Sequence, residues 1–219
     1  MIKAVLFDMD GVLADTEPFW QEAQCRAFGE IGINLSNEDC AQTMGMRIHE
    51  VVDFRMKNHP HLHFNKKMVV DTILSYVVEN IRGNAKPMPG VAEILESLEG
   101  LELPLALVSS SHYRVIYALL ESLQMRHYFD LILSSEDMPY GKPHPMPYLQ
   151  AAEYLDVPPE ECLVFEDSPK GVLSALSAGM RVIAIPNTRV KENPIFELAQ
   201  LTLDNFHELK ANKISDFFG

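Results

Sequence analysis

Five short apolar runs, at residues 2–7, 103–108, 131–133, 162–165 and 181–185, show no alternation of polar and apolar side chains. A strand with one wet face alternates, whereas a strand buried on both faces does not. Between the last four runs lie segments of helical period: Val115, Ile116, Leu119, Leu120 and Leu123, then 148–155, then 172–178 closed by Gly179. Strand, helix and strand repeated in this order call for a parallel sheet with right-handed crossovers. The expected class is therefore α/β with a Rossmann-like core. The first run departs from the pattern, because from Glu17 to about Lys86 the periodicity is helical, as in Val69, Val70, Ile73, Leu74, Val77, Val78 and Ile81. This reads as a helical domain inserted at 16–87, with the core formed by 1–15 and 88–219. Lys86-Pro87-Met88-Pro89-Gly90 marks the return, since the residue before a proline disfavours helix.

The 219 residues, 47% hydrophobic and 22% charged, suit one compact domain or a domain carrying an insertion. Lys and Arg total 18 against 31 Asp and Glu, a net charge of -13. Nucleic acid and anionic membrane surfaces are therefore not expected as partners. A small phosphate ester stays compatible if a few local donors outweigh the global field. Cys25, Cys40 and Cys162 are odd in number and lack Cys-x-x-Cys spacing, as expected for reduced thiols that serve packing. The N-terminal apolar run is too short for an export signal and no span reaches ~18 apolar residues, so the expected compartment is the cytoplasm.

The polar residues just after the strands carry the chemistry. The first run ends in Asp8-Met9-Asp10-Gly11, the second in Ser109-Ser110-Ser111, and the fourth in Glu166-Asp167-Ser168; the third is followed by Gly141-Lys142-Pro143. Open α/β sheets bind ligands at the carboxyl ends of their strands. Four carboxylates against one lysine would repel by ~3 kcal/mol per pair at ~5 Å and an effective dielectric of ~20. A bound cation relieves this, and oxygen-only ligands suit Mg2+ rather than Zn2+. Phosphate is the natural anionic guest for the Ser109 hydroxyl, the Lys142 ammonium and the backbone N–H groups after Asp8 and Ser109. A carboxylate can attack phosphorus when a metal and donors neutralise the transferring oxygens, which makes Asp8 the candidate nucleophile. Asp10, two residues on, can protonate the leaving oxygen and then deprotonate water.

With these pieces the chain resembles the haloacid-dehalogenase superfamily of phosphohydrolases, in the group with a helical cap after strand one. The resemblance implies that Asp8 is nucleophile and metal ligand and that Asp10 is acid/base and metal ligand through its carbonyl. It implies further that Ser109, Ser110 and Lys142 hold the phosphate, that Asp167 is a metal ligand and that Glu166 supports the metal through water. Glu17-Pro18-Phe19-Trp20, Gly45-Met46-Arg47, Met138-Pro139-Tyr140 leading into Gly141, and Asn193-Pro194 are similar to bacterial hexitol and 2-deoxyglucose-6-phosphate phosphatases. The implied substrate is a small phosphorylated sugar or polyol; separately, a monomer is the expected state.

Related β-phosphoglucomutases share the four motifs but carry a His where this chain has Trp20, which favours hydrolysis over mutase chemistry. A phospho-accepting receiver would also place acids, a hydroxyl and a lysine on a sheet rim, but it has no use for a helical insertion. Three further readings stay open here. Ser109–Ser111 could also cap the following helix, and Glu166-Asp167 could cap the helix near Pro169. Trp20 could be core packing or a lid over the sugar, and Arg47 could pair with Glu50 or touch substrate. His59, His61 and His63 read as a solvated loop before a metal site.

Overall fold

The computed structural model describes residues 1–43, 46–61, 63–188 and 190–209; Gly45 and the end of the expected core, 210–219, lie outside them. Six parallel strands, β1 (Ala4–Phe7), β2 (Leu105–Ser109), β3 (Leu131–Ser134), β4 (Cys162–Glu166), β5 (Arg181–Ala184) and β6 (Leu201–Thr202), form one sheet in the order β3-β2-β1-β4-β5-β6. The expected strands are all present. β6 is an addition, a two-residue strand too short to leave a pattern in the sequence.

The absence of alternation has the expected cause. Val5, Phe7, Leu105, Leu107, Leu163 and Phe165 point into one apolar layer, while Ala4, Leu6, Ala106, Val108, Val164 and Val182 point into the other. The first layer is completed by helices α5 (Val91–Glu99) and α6 (Tyr113–Leu123), and the second by α7 (Met146–Leu155) and α8 (Pro169–Ser177). Phe7 stacks on Phe165 with centroids 4.9 Å apart, locking the middle of the sheet.

Between β1 and α5 the described residues add four helices, α1 (Glu17–Gly29), α2 (Asn37–Ala41), α3 (Ile48–Asn58) and α4 (Lys66–Asn84). α4 buries Val69, Ile73, Leu74, Val77, Val78 and Ile81, as the spacing read from the sequence requires, while Val70 of the same set is half-buried; the N-cap Asn65 accepts from Met68 N–H. The two connections are zipped together: Met88 N–H donates to Leu13 O at 2.8 Å, and Ala14 bridges Pro87. No helix among the described residues is long and apolar enough to cross a membrane. All three cysteines are free.

Candidate active site

The sheet order sets the location of the site. From β1 the chain builds outward to β2 and β3, then returns to add β4 on the other flank, so the topological switch lies between β1 and β4. At such a point the outgoing connections diverge and leave a crevice. Asp8 and Asp10 follow β1, Glu166 ends β4 and Asp167 follows it. Asp8 N–H still donates to Phe165 O at 3.0 Å, which fixes the first carboxylate at the lip of the sheet. Gly11 then turns with φ +80°, and a side chain there would overlap the Asp167 carboxylate, so only glycine lets the two segments close up.

Lys142 reaches into this crevice from the loop after β3. Its Nζ donates to Asp8 Oδ1 at 2.5 Å, Glu166 Oε1 at 2.7 Å and Val108 O at 2.9 Å. Tyr148 O–H donates to the same Glu166 oxygen at 2.8 Å, and Asp167 N–H, Ser168 N–H and Ser168 Oγ donate to Oε2. Ser168 caps α8 by accepting from Gly171 N–H. Gly171 is needed here too, because a Cβ at that place would overlap the Glu166 carboxylate.

Asp8, Glu166 and Asp167 each offer an oxygen within 4.8 Å of the others. Burial pushes Asp8 up to about 8; Lys142 pulls it back, while Glu166 and Asp10 push it further. Burial likewise raises Asp167 well above the usual carboxylate range, reinforced by Glu166, Asp8 and Asp10. Burial works against the Lys142 ammonium, but Asp8 and Glu166 beside it hold its pKa well above the lysine value. One ammonium thus fails to neutralise the buried acids. Such an excess of carboxylate oxygen fits a hard divalent cation such as Mg2+. Glu166 belongs to the group by distance, yet both its oxygens already accept from protein donors, which leaves Asp8 and Asp167 the better placed to meet an ion.

Asp10 is held differently. Oδ1 accepts from the Thr16 hydroxyl and from Trp20 Nε1 at 3.1 Å, and Oδ2 accepts from Ser111 Oγ at 2.7 Å. Trp20 also packs against the larger apolar layer, so it joins packing to a contact with Asp10 that the sequence reading did not foresee. Asp8, Asp10, Ser110, Lys142 and Asp167 line one cavity together with Asn187. Ser109 is wholly buried at the end of β2, its Oγ accepting from Ser111 N–H at 3.0 Å.

The serines do not cap the next helix. α6 begins at Tyr113 with His112 at its N-cap and no capping side chain; Ser109 Oγ instead accepts from Ser111 N–H, and Ser111 Oγ donates to Asp10. Glu166 and Asp167 likewise precede the true cap, Ser168. Arg47 pairs with Glu50 and donates to Met138 O at 2.7 Å, reaching from the insertion to the loop that carries Lys142. His59 Nδ1 lies 3.0 Å from Arg55 O, and His61 and His63 are exposed.

Residues 5–185 match the sequence pattern of the haloacid dehalogenase-like hydrolases. The chain belongs to that family. It is similar to hexitol phosphatase B of Escherichia coli, 32% identical over 214 residues that make up 97% of this chain and 96% of the relative. A phosphorylated carbohydrates phosphatase of Thermotoga maritima is 35% identical over 192 residues, 83% of this chain and 84% of that hydrolase. Among solved structures, β-phosphoglucomutase of Clostridium difficile matches with a TM-score of 0.86 at 24% identity, covering 100% of this chain and 97% of that one, a likeness of fold.

Proposed function

We propose that this hydrolase cleaves the monophosphate of a small sugar or polyol through an aspartyl-phosphate on Asp8, with Mg2+ as cofactor, in the cytoplasm and as a monomer. The observation that carries the reading is Asp8 itself: it is buried at the sheet switch point, 2.5 Å from an ammonium and within reach of Asp167, with Asp10 lining the same cavity. In the first step an Asp8 oxygen forms a bond to phosphorus while the bond from phosphorus to the sugar oxygen breaks, and Asp10 gives that oxygen a proton. In the second, Asp10 takes a proton from water, whose oxygen bonds to phosphorus as the Asp8–phosphorus bond breaks.

Lys142 steadies the phosphoryl oxygens, joined by Ser109 and Ser110, while Glu166 and Tyr148 hold Lys142 in place. Burial and the neighbouring Glu166 keep Tyr148 well above the usual phenol range, so it stays a donor. Asp8, Asp167 and the Asp10 carbonyl would hold Mg2+, with Glu166 supporting it through water. When bound it supplies positive charge against the developing phosphoryl charge.

The division into a core of 1–15 and 88–219 and a cap of 16–87 belongs to this proposal, the cap covering the sugar during transfer. The printed names of the E. coli and T. maritima relatives support the substrate class. A mutase remains the second reading, favoured by the fold likeness to β-phosphoglucomutase and opposed by Trp20. A panel of hexose and hexitol phosphates assayed with Mg2+ for free phosphate and for isomer decides between them. Phosphate release is expected to dominate; isomerisation outrunning release would overturn the proposal.

A further inference from the structure

A second chamber opens off the catalytic cavity where the insertion meets the rim, and the two share Asp10, Glu17 and Ser110. Trp20, Ile48 and Val51 supply its apolar wall, while Glu17, Gln24 and Thr43 supply polar groups from the insertion. Gln24 is only 6% exposed, and its Oε1 is buried with no hydrogen-bond partner among the described residues. A buried amide oxygen without a donor is costly, and the side chain that carries it lines the chamber. Thr43 donates its own hydroxyl to Cys40 O at 3.1 Å and so offers lone pairs, and Glu17 is a carboxylate.

Positive charge, in contrast, is scarce. No lysine or arginine lines the chamber among the described residues, and the His112 ring has Nδ1 2.6 Å from the Glu136 carboxylate. Arg47 spends its guanidinium on Glu50 and on the carbonyls of Ser135 and Met138. A chamber of acceptors beside two carboxylates suits hydroxyl groups on an uncharged tail and opposes a second phosphate or a carboxylate.

We infer that Gln24 is a specificity-determining residue that reads a hydroxyl on the neutral tail of the phosphate monoester. An amide meets a hydroxyl in both of its roles, accepting through oxygen and donating through nitrogen. The inference rests on the phosphatase reading above and adds the residue and the charge of the tail.

The test uses the full chain with Mg2+ and compares kcat/KM for sorbitol 6-phosphate and hexyl phosphate, whose six-carbon tails differ in their hydroxyls. The wild type is expected to prefer the hydroxylated ester, and Gln24→Leu to lower that preference by about tenfold, the worth of one hydrogen bond to a neutral group. Gln24→Met, close to glutamine in length, repeats the comparison should the Leu variant not fold. Fructose 1,6-bisphosphate is expected to be about tenfold or more poorer than sorbitol 6-phosphate for the wild type. A preference unchanged in both variants, or a bisphosphate preferred by the wild type, overturns this inference and leaves the phosphatase reading standing. No phosphate released from any of these esters by the wild type overturns both.

Discussion

The two cavities that meet at Asp10 are built on opposite terms. On the strand side, Asp8, Glu166 and Asp167 crowd around Lys142, every one of them buried and each placed at or just beyond the end of a strand. On the insertion side, helices and their loops supply an apolar wall, a few acceptors and an amide oxygen without a partner among the described residues. Charge that must act on phosphorus is fixed to a sheet whose segments cannot shift without breaking main-chain pairing. Groups proposed to select the rest of the molecule sit on the inserted helices, which reach the carboxylates through Thr16 and Trp20 on Asp10. The contrast predicts that reaction and selection are separable here, and each experiment below tests one side of that division.

The largest effect is expected on the strand side. Asp8→Asn should lower phosphate release by ~10⁴-fold or more, because no neighbouring group can replace the attacking oxygen. Lys142→Met would leave Asp8 and Glu166 facing each other without their shared ammonium, so urea titration should show a loss of ~3–5 kcal/mol beside lost turnover. Gly171→Ala sharpens the point: this exchange inside a helix ordinarily stabilises by ~0.5–1 kcal/mol. Here the new methyl meets the Glu166 carboxylate, and thermal melting should show a cost of ~1–3 kcal/mol instead. A smaller change, about tenfold in kcat, is expected for Trp20→Phe, which keeps the ring and removes one of three donors to Asp10.

The most graded effect is on stability without a divalent cation. Asp8 titrates near 3.8 in the unfolded chain and at about 8 in the folded one, so the folded state keeps a proton that the unfolded state surrenders. Stability from this group is therefore full below about pH 4 and lost as pH rises toward 8, and Asp167 shifts in the same direction. Added Mg2+, which takes the deprotonated carboxylates, should raise the melting temperature more at pH 8 than at pH 5. A gain independent of pH would separate the ion from Asp8 and Asp167.

The division also explains what could be read in advance. Asp8, Asp10, Glu166 and Asp167 were legible because a polar cluster directly after a non-alternating run marks a strand end, and strand ends converge in a parallel sheet. Lys142 became legible only beside them. Tyr148 was invisible as a site residue: it sits in the apolar pattern of α7 and shows its role only through the buried oxygen it meets. Glu166 read as a metal supporter, and the structure adds that its oxygens accept from Lys142, Tyr148 and the start of α8, contacts that no local pattern announces. Gln24 left no trace either, since an amide on a helix looks the same whether or not its partner is missing.

The measurement closest to the central claim is chemical capture of the intermediate. Enzyme mixed with a hexitol phosphate, quenched in acid within one turnover, reduced with tritiated borohydride and digested should carry tritium, as homoserine, at Asp8 alone. Label on another side chain, or free phosphate formed with no adduct at any time, would contradict the account.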